Sequence, residues 1–180
     1  MATPFQSTLS LFIQAPPGRI YEALTNWNLR SMWRSGIGLV WEGEGKAFLG
    51  QRVTFQVKNP IFPYSFSFRI TGLEPPRRFY MEYQDKPLRG RAAVEINPST
   101  GSTSSPQARS ARSGQAPDGL GSPAGPGPGE TGCEVAFHWM KVEPVGWAAK
   151  LFFALGLGMR LHRTRTQETL RMLKAYLEKS

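Results

Sequence analysis

VGWAAKLFFALGLGMRLHRTRT, residues 145–166, is the stretch on which the fold turns. Fifteen almost wholly apolar residues, interrupted by Lys150, run into Arg160, His162, Arg163 and Arg165. A bilayer span needs about 20 apolar residues, so the run is too short for a transmembrane anchor. At about 100° per residue, Val145, Ala148, Phe152, Leu155, Met159, Thr166, Leu170, Leu173 and Leu177 fall on one stripe with His162 at its edge. That pattern predicts a core-facing helix over about 145–178. It would be roughly 50 Å long at 1.5 Å per residue, in one piece or broken at Gly156 and Gly158.

A sheet is what such a helix would cover. YSFSFRIT, residues 64–71, sets Tyr64, Phe66, Phe68 and Ile70 against Ser65, Ser67, Arg69 and Thr71. The same two-residue period puts Val53, Phe55 and Val57 inward in QRVTFQV, Phe79, Met81 and Tyr83 in RRFYMEYQ, and Leu88, Ala92, Val94 and Ile96 in LRGRAAVEI. In CEVAFHWMK it selects Cys133, Val135, Phe137 and Trp139. The turn signals NPIFP, EPP and DKP leave only short gaps, as antiparallel hairpins require. One apolar and one polar face per strand means a sheet half in water. Upstream, residues 7–14 alternate as a first strand, with Leu9, Leu11 and Ile13 on one face. APPGRIYEALTNWNLRSMW then changes to helical spacing, with proline in the first turn, Ile20, Leu24 and Trp27 on one side, and a second short helix carrying Leu29, Met32 and Trp33.

Residues 97–131 hold no aromatic side chain and one large aliphatic, Leu120. Such a segment cannot bury enough surface to offset the entropy of ordering, so it is expected to be a disordered Gly/Pro/Ser-rich loop inserted between two strands of a single domain spanning 1–180. Loop closure grows only logarithmically with length, which makes the insertion tolerable. Its charges cancel (Arg109 and Arg112 against Asp118 and Glu130), so the remainder carries the whole net charge of +9. A basic surface attracts nucleic acid, anionic lipid or an acidic partner, or is simply solvated.

Strand, two short helices, a run of antiparallel strands and a long terminal helix is an order that resembles the START-like (SRPBCC, polyketide cyclase/dehydrase-like) superfamily. LFIQAPPGRIYEALTNWNLRSMW resembles its opening strand and helix pair, FLGQRVTF a strand entry, and RTQETLRMLKAYLEKS the terminal helix. The resemblance implies an α+β helix-grip fold, a curved antiparallel sheet wrapped around a long C-terminal helix. It also implies a cavity between them for a lipid, quinone or polyketide-like molecule, and a minority of members are enzymes. The pocket would be lined by Phe55, Tyr64, Phe66, Phe68, Phe79, Met81, Tyr83, Phe137 and Trp139 from the sheet and by Phe152, Leu155, Met159, His162 and Thr166 from the helix. A concave, aromatic space is where small molecules bind; the same side chains could instead fill a solid core.

Catalytic chemistry is hard to find. General acid–base work needs a titratable group within reach of the substrate, yet Arg52, Arg69, Glu82, Arg89, Arg91, Glu95, Glu134 and His138 all take outward phases. A bulge would reverse that assignment. No nucleophile–base pair, inward carboxylate pair or phosphate loop is present, so no catalytic residue is assigned and no cofactor is expected. The single cysteine, Cys133, excludes an internal disulfide and fits a reducing compartment. With two histidines besides, a metal centre is not expected. The opening MATPFQSTLSLFIQA has no charged leader pattern, which points to the cytoplasm.

Trp147, Phe153, Leu157 and Leu161 fall opposite the core stripe of a straight helix, beside Lys150 and Arg160. They would form a docking face for an anionic membrane, at its inner surface, or for a partner. The alternative is a helix bent at Gly156–Gly158 that buries both faces against strand edges, including Trp41 and Phe48. Three function classes result: binding or transfer of a hydrophobic small molecule, an enzyme of polyketide cyclase/dehydrase type using Tyr64, Tyr83 or His162, and a basic membrane- or nucleic-acid-associated protein. Covered inward aromatics leave no stacking platform for single strands, which argues against nucleic acid. Oligomeric state stays open.

Overall fold

The computed structural model describes residues 5–33, 37–57, 64–84, 88–100 and 131–179. In chain order the elements are β1 (Phe5–Ile13), α1 (Pro17–Thr25), α2 (Trp27–Trp33), β2 (Ile37–Trp41), β3 (Arg52–Val57), β4 (Tyr64–Glu74), β5 (Arg78–Tyr83), β6 (Leu88–Thr100), β7 (Thr131–Pro144), α3 (Trp147–Ala154) and α4 (Leu157–Glu178). The strands form one antiparallel seven-stranded sheet in the order β1-β7-β6-β5-β4-β3-β2. Every step except β1–β7 joins strands consecutive in sequence, as the short turn signals require. With α4 laid against its inner face, this curved sheet is a helix-grip α+β fold.

The core forms where the periods said it would. Val53, Phe55, Phe68, Ile70, Phe79, Met81, Tyr83, Val94, Ile96, Val135, Phe137 and Trp139 are buried from the sheet, and Leu170, Leu173 and Leu177 from α4. Fully burying one such side chain contributes about 1.5–3 kcal/mol. Helix α1 adds Ile20, Ala23 and Leu24, spaced for one helical face. Cys133 is fully buried, its thiol donating to Ala15 O at 3.4 Å; burial pushes its pKa up and keeps it unreactive.

Trp27 ties the helix pair to the sheet. Its ring is fully buried and its indole N–H donates to Gln51 Oε1 at 2.8 Å. Gln51 is also fully buried; its Oε1 accepts from Phe48 N at 3.3 Å as well, and its Nε2 donates to Glu42 O. Backbone bonds from Trp27 N to Gly45 O and from Ala47 N to Thr25 O close the same joint. Every polar atom of the amide thus replaces water with a protein partner, which is what makes a buried glutamine tolerable.

Three features differ from expectation, and a fourth, the state of the terminal helix, decides between the two possibilities left open. Strands β6 and β7 run further, pairing as far as Thr100↔Thr131, so residues 97–100 and 131 of the anticipated loop are strand; residues 101–130 lie outside the described residues. Pro98 fits there because β5 pairs β6 only as far as Glu95, leaving that side of β6 without a ladder. The terminal helix is two helices: Gly156 has φ 73°, a left-handed conformation that ends α3 and starts α4 on a new phase. The inward residue of α2 is Arg30, not Met32, which is exposed, while Trp33's side chain lies outside the described residues. A bulge opposite Gly90 shifts the β6–β7 register, so the buried phase of β7 passes from Phe137 and Trp139 to Val142. Lys141 takes φ 51° there, and a Cβ on Gly90 would come within 2.6 Å of Lys141 O, so only glycine fits.

Gln51→Ala should lower unfolding free energy by about 2–4 kcal/mol, since it strands the Trp27 indole N–H, Phe48 N and Glu42 O and opens a void. Urea denaturation followed by tryptophan fluorescence measures it.

Candidate functional site

Between the sheet and α4, with α2 at one end, lies a cavity of about 80 Å³. It is lined by Phe55 (β3), Phe66 and Phe68 (β4), Met81 and Tyr83 (β5), Phe137 and Trp139 (β7), Arg30 (α2), and His162, Arg165, Thr166 and Thr169 (α4). The rings interlock: Phe55 stacks on Phe66 at 5.2 Å and on Phe68 at 5.4 Å, Phe68 meets Tyr83 edge-on at 6.1 Å, and Phe137 stacks on Trp139 at 5.8 Å. Strand alternation puts these rings on one face, and cross-strand neighbours such as Phe55↔Phe66 bring them into contact.

Nine of the anticipated pocket residues meet here: Phe55, Phe66, Phe68, Met81, Tyr83, Phe137, Trp139, His162 and Thr166. Phe79 is buried away from the cavity, edge-on to Tyr21 at 6.3 Å. Met159 is half-buried and outside the lining, and Leu155 is 65% exposed because the break at Gly156 takes it off the stripe. The side chains of Tyr64 and Phe152 lie outside the described residues. His138 is on the outer face, half-buried, with Nδ1 3.0 Å from Thr8 Oγ1 and Nε2 3.5 Å from Glu95 Oε2.

Three lining residues were not anticipated: Arg30, Arg165 and Thr169. Thr169 follows Thr166 by three, on the same helical face, and could have been found that way. Arg30 follows Trp27 by the same spacing, but a charge at that position reads as surface until the structure shows it 3% exposed. Its Nη1 donates to Leu24 O at 3.0 Å, and its guanidinium carbon lies 5.5 Å from the Trp27 ring and 5.2 Å from Phe55. Such contacts between a cation and ring faces are attractive, more so when desolvated.

The polar groups of the cavity differ in what they offer. Thr166 and Thr169 donate their hydroxyl protons to His162 O (2.9 Å) and Arg165 O (2.8 Å), back-bonding within α4. Arg165 is paired with Glu168 at 2.9 Å. His162 is held between rings, 4.2 Å from Trp139 and 5.5 Å from Phe5, both edge-on. Burial lowers its pKa from 6.5 to about 4, so the imidazole is neutral at pH 7. Trp139 Nε1 and His162 Nε2 are buried and have no hydrogen-bond partner among the described residues. Among those residues no carboxylate lines the cavity, and no cluster of potential metal ligands is found.

Similarity to solved structures covers nearly the whole chain. A TM-score of 0.59 relates it to the KanY protein (ms6282), at 14% identity over 97% of this chain and 98% of that one. The Aha1 dimer from Colwellia psychrerythraea aligns at 0.57, 15% identity, over 97% and 96%, and protein Ms6760 from Mycobacterium smegmatis at 0.57, 13% identity, over 96% and 90%. The likeness is one of fold. No family model and no curated protein matches the sequence.

The outward segment differs from its expected face. Trp147 is 82% exposed and Lys150 and Arg160 are exposed, but Phe153 is half-buried, stacked on Phe5 at 5.3 Å, and Leu161 is also half-buried. Leu157's side chain lies outside the described residues. With α3 turned relative to α4, the apolar row on its open side is Trp147, Leu151 and Leu155.

The folded chain holds His162 neutral until about pH 4, whereas the unfolded chain protonates it at 6.5. The unfolded state therefore binds more protons between those values, and stability should rise with pH across the window, by roughly 3 kcal/mol in all. Urea midpoints from pH 4 to 7 should show this rise in the wild type and a flatter profile in His162→Leu.

Proposed function

We propose that this chain is a START-like (SRPBCC) binding protein that holds, and can hand on, an apolar small molecule between its sheet and α4. The observation that carries the reading is the cavity wall, built from aromatic side chains of four strands facing α4. Its 80 Å³ is smaller than the ~150 Å³ that admits benzene, so a ligand must displace lining side chains. Phe66 is half-buried and Arg165 partly exposed, which makes them the wall residues whose displacement opens the least of the core. The absence of a carboxylate or nucleophile–base pair on the described wall favours binding over catalysis.

The test uses N-phenyl-1-naphthylamine, a neutral apolar dye that brightens out of water. The wild type should bind it with micromolar affinity, and Thr166→Phe, which drives a ring into the cavity, should weaken binding at least tenfold while melting stays cooperative. Native mass spectrometry should also find an apolar molecule carried by the purified protein. The absence of both dye binding and a carried molecule would overturn the reading.

A second reading concerns where the ligand is exchanged. Trp147 and Leu151 on α3 and Leu155 at its C-terminal cap, exposed by 82%, 54% and 65%, lie four residues apart beside Lys150. That arrangement favours peripheral docking on anionic lipid at the inner membrane face by a cytoplasmic protein. Among the described residues no helix is long and apolar enough to cross a membrane. Sedimentation with phosphatidylglycerol vesicles should pull down the wild type and lose Trp147→Glu/Leu151→Glu; equal sedimentation of both excludes this face.

A further inference from the structure

The outer face of the sheet carries the nucleophile–base pair that the described interior wall lacks. One row of side chains crosses four strands there: Tyr80 (β5), Ala93 (β6), His138 (β7) and Thr8 (β1) are successive cross-strand neighbours. Ala93 is the small member, so its neighbours stand above it around a groove of about 470 Å³, with Thr8, Arg78, Tyr80, Glu95, His138 and Met140 in its lining. Thr8 is exposed, and its Oγ1 lies 3.0 Å from His138 Nδ1. The other ring nitrogen, Nε2, lies 3.5 Å from Glu95 Oε2 and has no hydrogen-bond partner among the described residues. That distance is long for a hydrogen bond, as such contacts often are before a substrate is bound. A ring nitrogen facing a carboxylate carries the proton, because a lone pair there would be repelled. In the neutral ring Nδ1 is then the acceptor, and the Thr8 hydroxyl donates to it. Glu95 is held in turn: its Oε1 is 3.1 Å from Arg78 Nη2, while Arg78 Nη1 donates to Tyr80 OH at 3.0 Å. Hydroxyl, imidazole and carboxylate in this order, with the hydroxyl open to solvent, are what activates a nucleophile. Thr8 and His138 are 130 residues apart, so no local motif announces the pair.

We infer that this groove, separate from the interior cavity, is an acyl-transfer site in which an ester acylates Thr8 and water then releases the acid. Thr8 Oγ1 bonds to the ester carbonyl carbon while its proton passes to His138 Nδ1. The bond from that carbon to the alcohol oxygen breaks, and the departing oxygen takes the proton from the ring. Water attacks the acyl-threonine in the same way, its proton passing through His138 Nδ1 to Thr8 Oγ1 as the carboxylic acid leaves. Ester and water are consumed, acid and alcohol are formed, and nothing is oxidised or reduced. His138 is the base; Glu95 and Arg78 are positioning residues that keep Nδ1 turned to Thr8. Met140, 39% exposed, is the large apolar side chain open on this lining, which suits a short acyl chain. The rival is a cross-strand pair that only fastens the edge strand β1 to β7.

p-Nitrophenyl acetate is the probe. The wild type should release p-nitrophenolate, and because so activated an ester acylates faster than the adduct hydrolyses, an acetyl group should be found on Thr8 by peptide mass mapping after acid quench. Thr8→Val keeps the β-branched shape and should lower the release by roughly tenfold or more, as should His138→Gln. Glu95→Gln should lower it by at least threefold, and serves if His138→Gln does not fold. Thr8→Ser retains a hydroxyl and should keep the rate within threefold, a rescue that a merely structural pair does not require. Ser10→Ala, at the next exposed position on the same face of β1, should leave the rate unchanged. Lysines also react with this ester, so the rate that counts is the difference between wild type and Thr8→Val. Release unchanged in Thr8→Val, or acetyl groups on lysines with none on Thr8, overturns the inference. Either result leaves the binding reading standing, because the dye reports on the other face of the sheet.

Discussion

One burial relation organises the molecule: the inner face of the sheet is aromatic, and α4 removes it from water. Leu170, Leu173 and Leu177 anchor the C-terminal half of that helix. Its N-terminal half meets the sheet through His162, Arg165, Thr166 and Thr169, which are polar or charged. The same helix is therefore core at one end and cavity wall at the other. Where leucines interdigitate with the sheet the interior is solid, and where these four residues face the phenylalanines a space remains.

The helix pair α1–α2 closes the end of that space. Its seat is the buried Trp27–Gln51 hydrogen bond, and one helical turn beyond Trp27 the chain presents Arg30 to the cavity. A rigid joint behind a buried charge matters physically, because a guanidinium free to move would reach water and leave the ring faces that hold it. Arg30 gains from the ring faces of Trp27 and Phe55 on either side. His162 is held between the rings of Phe5 and Trp139, both set steeply to its own, where burial removes its charge. One cavity thus contains a cation that cannot deprotonate and an imidazole that stays neutral.

Much of this was legible in the residues. The period-2 pattern identified the inward phenylalanines because each strand has one wet face, and period 3.6 identified Leu170, Leu173 and Leu177. What failed did so for local reasons. Leu155 lost its place because one left-handed glycine resets helical phase, which an averaged angle of 100° per residue does not carry. Phe79 has the same inward phase as Met81, but phase says nothing about whether the space beyond a side chain is filled, and Tyr21 fills it. Arg30 and Gln51 were hidden because polar residues signal surface unless their partners, distant in sequence, are known. The bulge at Lys141 left the Phe137–Trp139 assignment intact only because it falls after Trp139.

The break at Gly156 makes the terminal segment two helices whose backbones meet at one left-handed residue. A continuous helix would couple its two ends like a shaft: turning the outer half to suit a new surface would turn the inner half out of the sheet. The left-handed glycine uncouples them. What still links α3 to the cavity wall is a chain of rings, Phe153 stacked on Phe5 and Phe5 against His162, so a change on α3 reaches the interior through side-chain packing and not through a continuous helix backbone.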